Sequence, residues 1–84
     1  MGQYWLIVRS VTYAQRLQRM FLKAGLRTPI FRAPMELTGG RGCSYAVQVA
    51  EKDLADAMTV IRRGNLSPDQ IFYKTSDGFQ EVTV

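Results

Sequence analysis

The chain has 84 residues, 46% of them hydrophobic and 21% charged, with 11 Lys+Arg against 7 Asp+Glu and a formal net charge of +4. That composition is globular rather than disordered, and the length bounds the chain to a single small domain over residues 1–84. With no His and one Cys it cannot assemble a Ser-His-Asp triad, a Cys-His dyad or a His/Cys zinc site, nor close a disulfide within itself.

The chain opens on Tyr4-Trp5-Leu6-Ile7-Val8, an aromatic and β-branched run without helical period, which predicts a buried strand. These residues carry no basic leader of the kind a signal peptide needs. No stretch approaches the roughly 18 apolar residues of a membrane span. The expectation is therefore a cytoplasmic protein without membrane contact. Ser10 or Thr12 can cap the next element, a helix over 11–24 whose Ala14, Leu17, Phe21 and Ala24 form one apolar face. Gly25 supplies its stop.

A short strand follows over 28–33, and Pro29 near its start predicts an edge position because proline cannot donate to a ladder. Pro34-Met35-Glu36-Leu37 then leads into the glycine-rich 38–42. Residues 43–49 alternate, with Tyr45, Val47 and Val49 on one side, and read as the third strand. A second helix is predicted over 51–63, with Leu54, Ala57, Met58 and Ile61 on its inner face and Gly64 ending it. Its acidic start and its Arg62-Arg63 end both suit the helix dipole. Residues 70–75 make the fourth strand. Ser76-Asp77-Gly78 is a turn signal, after which 79–84 forms a short fifth strand or a tail.

The resulting order, β-α-β-β-α-β, predicts an α+β, ferredoxin-like domain: an antiparallel sheet with two helices on one face. The first strand is apolar on both sides, and one helix layer buries only one of them. Either the tail or a second subunit must cover the other, and a homodimer through the open sheet face is the favoured expectation.

The candidate site is Gly39-Gly40-Arg41-Gly42-Cys43-Ser44. Glycines let backbone N–H groups turn toward an anion, in a nest-like geometry. Arg41, with Arg32 from the neighbouring strand, would bring positive charge to the Cys43 sulfur and favour its thiolate, the reactive form. A lone cysteine with no resolving partner suits a carrier that holds one group and hands it on. Free cysteines are also common as small apolar fillers, so a purely structural Cys43 stands as the other reading.

The β-α-β-β-α-β outline, the segment Ala33-Pro34-Met35-Glu36-Leu37 and a small-residue loop ending in Cys43 resemble the selenium/sulfur carrier protein-like family of short bacterial proteins. The resemblance runs from Tyr4 to about Tyr73. It implies that Cys43 is the carrier residue, loaded and unloaded by sulfur- or selenium-donating and accepting proteins. Ser44 stands where that family usually has glycine after the cysteine, and Met35 stands where a basic residue commonly follows the proline. The loop from Pro34 to Cys43 is also slightly longer than usual. No cofactor, nucleotide or metal site is expected, and the chain reads as a carrier or binding protein rather than a catalyst.

The alternatives are an RNA-binding module, or a ligand-sensing or dimerisation module, of the same fold with a structural cysteine. Residues 41–48 can be laid on the RNA-recognition signature, with Arg41, Gly42 and aromatic Tyr45 in register. Stacking platforms need more aromatics on the central strands than Tyr45 with Tyr4 or Trp5. The eight arginines are scattered over several elements and read mostly as solvated helix faces and ends. Nucleic acid is accordingly not an expected partner.

Overall fold

The computed structural model describes residues 2–39 and 44–82. Its elements run β1 (Gln3–Val8), α1 (Val11–Lys23), β2 (Ile30–Arg32), α2 (Met35–Thr38), β3 (Tyr45–Ala50), a 3-10 turn (Glu51–Asp53), α3 (Leu54–Gly64), β4 (Gln70–Thr75) and β5 (Gly78–Val82). The five strands form one antiparallel sheet in the order β2-β3-β1-β4-β5. Among the described residues the chain is thus mixed α/β with three helices; it departs from the expected six-element outline at α2, and of the two expectations for the tail the fifth strand holds. A one-turn helix, α2, interrupts the link between β2 and β3, and β5 extends the sheet beyond β4.

α1 starts where Ser10 Oγ accepts the Tyr13 N–H at 3.1 Å, so Ser10 rather than Thr12 is the cap. It ends at Lys23, with Gly25 at φ +84, and Ala24 falls outside the buried stripe. Leu26 is buried in its stead. The second predicted helix begins three residues late, because Glu51–Asp53 form the 3-10 turn first. At its far end the left-handed residue is Asn65, not Gly64. A Cβ at Gly64 would meet the far end of the Met20 side chain of α1, which would have to swing aside. β2 lies at the sheet edge, as Pro29 implied.

Strand alternation splits the side chains into two layers. Leu6, Val8, Val47, Val49 and Ile71 meet Ala14, Leu17 and Phe21 of α1 and Ala57 and Ile61 of α3 in the main core. On the opposite face Trp5, Ile7, Ala46 and Phe72 form a second buried cluster, closed by Ala33, Leu37 and Phe79. The second face of β1 is therefore covered by the chain itself: Phe79 reaches it from β5, and Leu37 from α2. The packing reason for invoking another subunit falls away.

A polar clasp ties the start of β1 to the end of β3. Glu51 accepts hydrogen bonds from the Tyr73 hydroxyl and from the Gly2 N–H, the latter at 3.1 Å. Chiefly through the Tyr73 bond and then the Gly2 bond, its carboxyl is held below the ordinary glutamate range, while the same bond to Glu51 pushes the Tyr73 phenol up. Glu51 thus stabilises the fold fully above pH about 4.3, and this contribution fades as pH falls through its lower folded value. Tyr73 contributes fully below pH about 10 and loses that contribution as pH rises past its raised value. Thermal midpoints measured from pH 7 downward are expected to fall less steeply in Glu51→Gln than in wild type below about pH 4.3. Parallel acid limbs would show that the clasp does not form.

Candidate functional site: the loop between the second and third strands

The loop of interest leaves the sheet at β2 and returns at β3. Its base is a backbone hydrogen bond from the Ala33 N–H to the Ser44 carbonyl, at 3.0 Å, just beyond the Arg32–Tyr45 register pair. From there the chain turns over the second sheet face. Pro34 is extended (φ −60, ψ 140) and its carbonyl accepts the Leu37 N–H at 3.0 Å, which closes the single turn of α2. Leu37 points inward to the Trp5 cluster, whereas Met35 is 72% exposed. Thr38 is buried and donates to the Met35 carbonyl at 3.4 Å. Gly39 then takes the left-handed conformation, φ 66 and ψ 27, which favours glycine.

Of the predicted site residues, Gly39 and Ser44 therefore stand at the two ends of the loop. Gly40, Arg41, Gly42 and Cys43 lie outside the described residues. Arg32 is exposed, and its guanidinium sits 5.9 Å from the centroid of the Tyr45 ring. Tyr45 packs against the helix-side core. Arg32 thus points to the helix side of the sheet corner, while 33–38 runs over the other side.

The residues that anchor the loop were not singled out from the sequence as site residues. Phe31, 44% exposed, stacks on Trp5 with centroids 5.7 Å apart and planes at 12°. Phe79 meets Trp5 edge-on at 5.0 Å, and the Lys74 ammonium lies 5.1 Å from the Trp5 ring centroid. The Trp5 indole N–H is buried without an acceptor among the described residues. The Pro-x-x-Leu spacing was the available signal: a proline starting one turn places a leucine three residues on, where it faces the sheet.

The RNA-recognition alignment meets a parity problem. Its aromatic slot, Tyr45, falls on the helix side, and β3 offers Ala46 and Gln48 to the other face. No stacking platform is built on that strand. Among the described residues no group of three His, Cys, Asp or Glu side chains is placed to hold a metal. No described helix is long and apolar enough to cross a membrane.

A family model described as "Putative Se/S carrier protein-like" matches residues 3–73. The chain belongs to that family. The span matched to the Se/S carrier-like family runs from the first residue of β1 into β4, and Cys43 lies within it. β5, which places Phe79 against Trp5, lies beyond it. No curated protein and no solved structure matches the chain.

Proposed function

We propose that this Se/S carrier-like protein is a sulfur or selenium carrier that holds one chalcogen atom on Cys43. We read β1–β4 with α1 and α3 as a ferredoxin-like core that presents the loop. The observation that carries the proposal is the family match over residues 3–73, which takes in the only cysteine of the chain.

Loading is a thiol exchange. The Cys43 thiolate attacks the outer sulfur of a donor persulfide, a new S–S bond forms, the donor's own S–S bond breaks, and the donor leaves as a thiolate. Cys43 is left as a persulfide, or as a selenosulfide when the outer atom is selenium. No external oxidant is needed, because the donor already carries the oxidised atom. Arg41 stabilises the thiolate electrostatically; Arg32, turned over Tyr45 to the helix side of the sheet, takes no part. Glycine at positions 39, 40 and 42 puts no Cβ in the way of backbone amides that would turn toward the anionic product. Partners bring the remaining chemistry, so the chain itself is not a catalyst.

The test is intact mass after exposure to a sulfur- or selenium-donating system, with wild type and Cys43→Ala side by side. A gain of one sulfur or selenium atom that a thiol reductant removes, absent from the variant, is the expected result. No gain under conditions that load another thiol carrier would turn the reading to a binding module with a structural cysteine.

A further inference from the structure

We infer that the outer face of α1 is a binding surface for the phosphate backbone of RNA. Thr12, Arg16, Arg19 and Lys23 recur at steps of four, three and four residues, on the side of α1 opposite the buried Ala14, Leu17 and Phe21. All four are exposed, and α1 contains no acidic residue. The last turn of α3 adds Arg62 and Arg63, both exposed. That end of α3 is held beside α1 by the close approach of Gly64 to Met20 and by the Tyr13 hydroxyl donating to the Ser67 carbonyl at 3.0 Å.

These cations have no partners among the described residues. The ion pair found there is Arg9 with Asp69, at 3.0 Å, and no side-chain hydrogen bond engages Arg16, Arg19, Lys23, Arg62 or Arg63. Arg62, Arg63 and Lys23 are accounted for by the helix dipole, since they sit in last turns. Arg16 and Arg19 are not. Like charges at i,i+3 and i,i+4 cost a helix about 0.2–0.5 kcal/mol per pair, so the stripe weakens the element that carries it. A feature that costs stability and meets no internal acid points outward, to an anion.

The chemistry of the stripe favours phosphate over an acidic protein. Arginine forks match phosphate and carboxylate oxygens alike in bidentate fashion, so the choice rests on what surrounds them. Ser10 and Thr12 line a surface depression together with Arg16 and Arg19, which places two hydroxyl donors beside the guanidinium groups; the Tyr13 hydroxyl, which also borders it, is committed to Ser67. Protein interfaces rely on buried aromatic or aliphatic anchors, and the stripe has none between its cations. Steps of three and four residues set its cations about 4.5–6 Å apart along the axis, so neighbouring guanidinium groups can reach separate phosphates. Contacts to the backbone need no aromatic platform on the sheet, so the parity of Tyr45 does not bear on this surface. The inference is independent of the carrier reading.

Fluorescence anisotropy with a short labelled RNA duplex, titrated between 50 and 200 mM salt, tests it. Wild type is expected to bind with an affinity that falls steeply with salt. Arg16→Gln/Arg19→Gln should lower the affinity roughly tenfold or more at the low-salt end and reduce the salt slope by about 1.4–1.8, the share of two phosphate contacts. Arg27→Gln/Lys52→Gln removes the same charge elsewhere on the surface and should leave the slope unchanged. Glutamine preserves helix propensity, and circular dichroism of each variant confirms an intact α1. Equal slopes in both double variants, or no salt-dependent binding by wild type, would overturn the inference. Polyglutamate binding as tightly as RNA would also overturn it and assign the stripe to an acidic protein.

Discussion

Phe21→Ala is expected to destabilise the protein by about 3–5 kcal/mol, the usual cost of emptying a fully enclosed aromatic site. Phe21 is 0% exposed and lies where α1 meets the sheet, in contact with the cluster built on Leu6, Val47 and Val49. At about 0.05–0.15 kcal/mol per residue, a chain of this length holds roughly 4–13 kcal/mol in total. One substitution therefore removes a large share of it. Since small domains lose about 4–8 °C of midpoint per kcal/mol, the thermal midpoint should fall by tens of degrees. Urea titration should show the loss in the midpoint rather than in the slope. A change under about 1 kcal/mol would mean that α1 does not dock as described.

The second large effect concerns Trp5, and two substitutions there should diverge. Trp5→Ala removes the centre of the second cluster, with its stack on Phe31, its edge contact to Phe79 and the Lys74 ammonium over its ring, and should cost about 3–5 kcal/mol. Trp5→Phe keeps an aromatic ring and deletes an indole N–H that is buried with no acceptor among the described residues. Relief of that unmet donor, about 1–3 kcal/mol, offsets the smaller ring, so this variant should stay within about 1 kcal/mol of wild type. Both shifts should be independent of protein concentration, because Leu37 and Phe79 close the face within one chain. A midpoint that rises with concentration would show instead that a second copy covers it.

The main core was readable because its period was long. Ala14, Leu17 and Phe21 on one helix, and Ala57 and Ile61 on the other, repeat often enough to define a face, and all five are buried. The double-sided burial of the first strand was readable too, from Trp5 and Ile7 alternating with Leu6 and Val8. What covers the far side was not, since α2 is a single turn and one turn has no period. Leu37 looked like part of a lead-in to the glycines. Gly64 does close the second long helix, but the left-handed turn after it falls on Asn65 rather than on a glycine.

For the candidate site, residue types were legible and their directions were not. On a three-residue edge strand, alternation alone decides whether Arg32 or Phe31 faces the loop's side, and the register with β3 gives that side to Phe31. The arginines looked dispersed in the linear order. Folding α1 into a helix gathers Arg16, Arg19 and Lys23 on one exposed stripe.

The hydrogen bond between Ala33 and Ser44 has a consequence for how such a protein diversifies. It pins both ends of 34–43 to adjacent strands, so the sheet does not depend on the path between them. Doubling the length of a flexible loop costs only about 0.6 kcal/mol of closure entropy. Changes in length between positions 39 and 44 are therefore cheap, whereas Leu37 must keep its place over Trp5. The stretch that carries the cysteine can change in length while the framework below stays as it is.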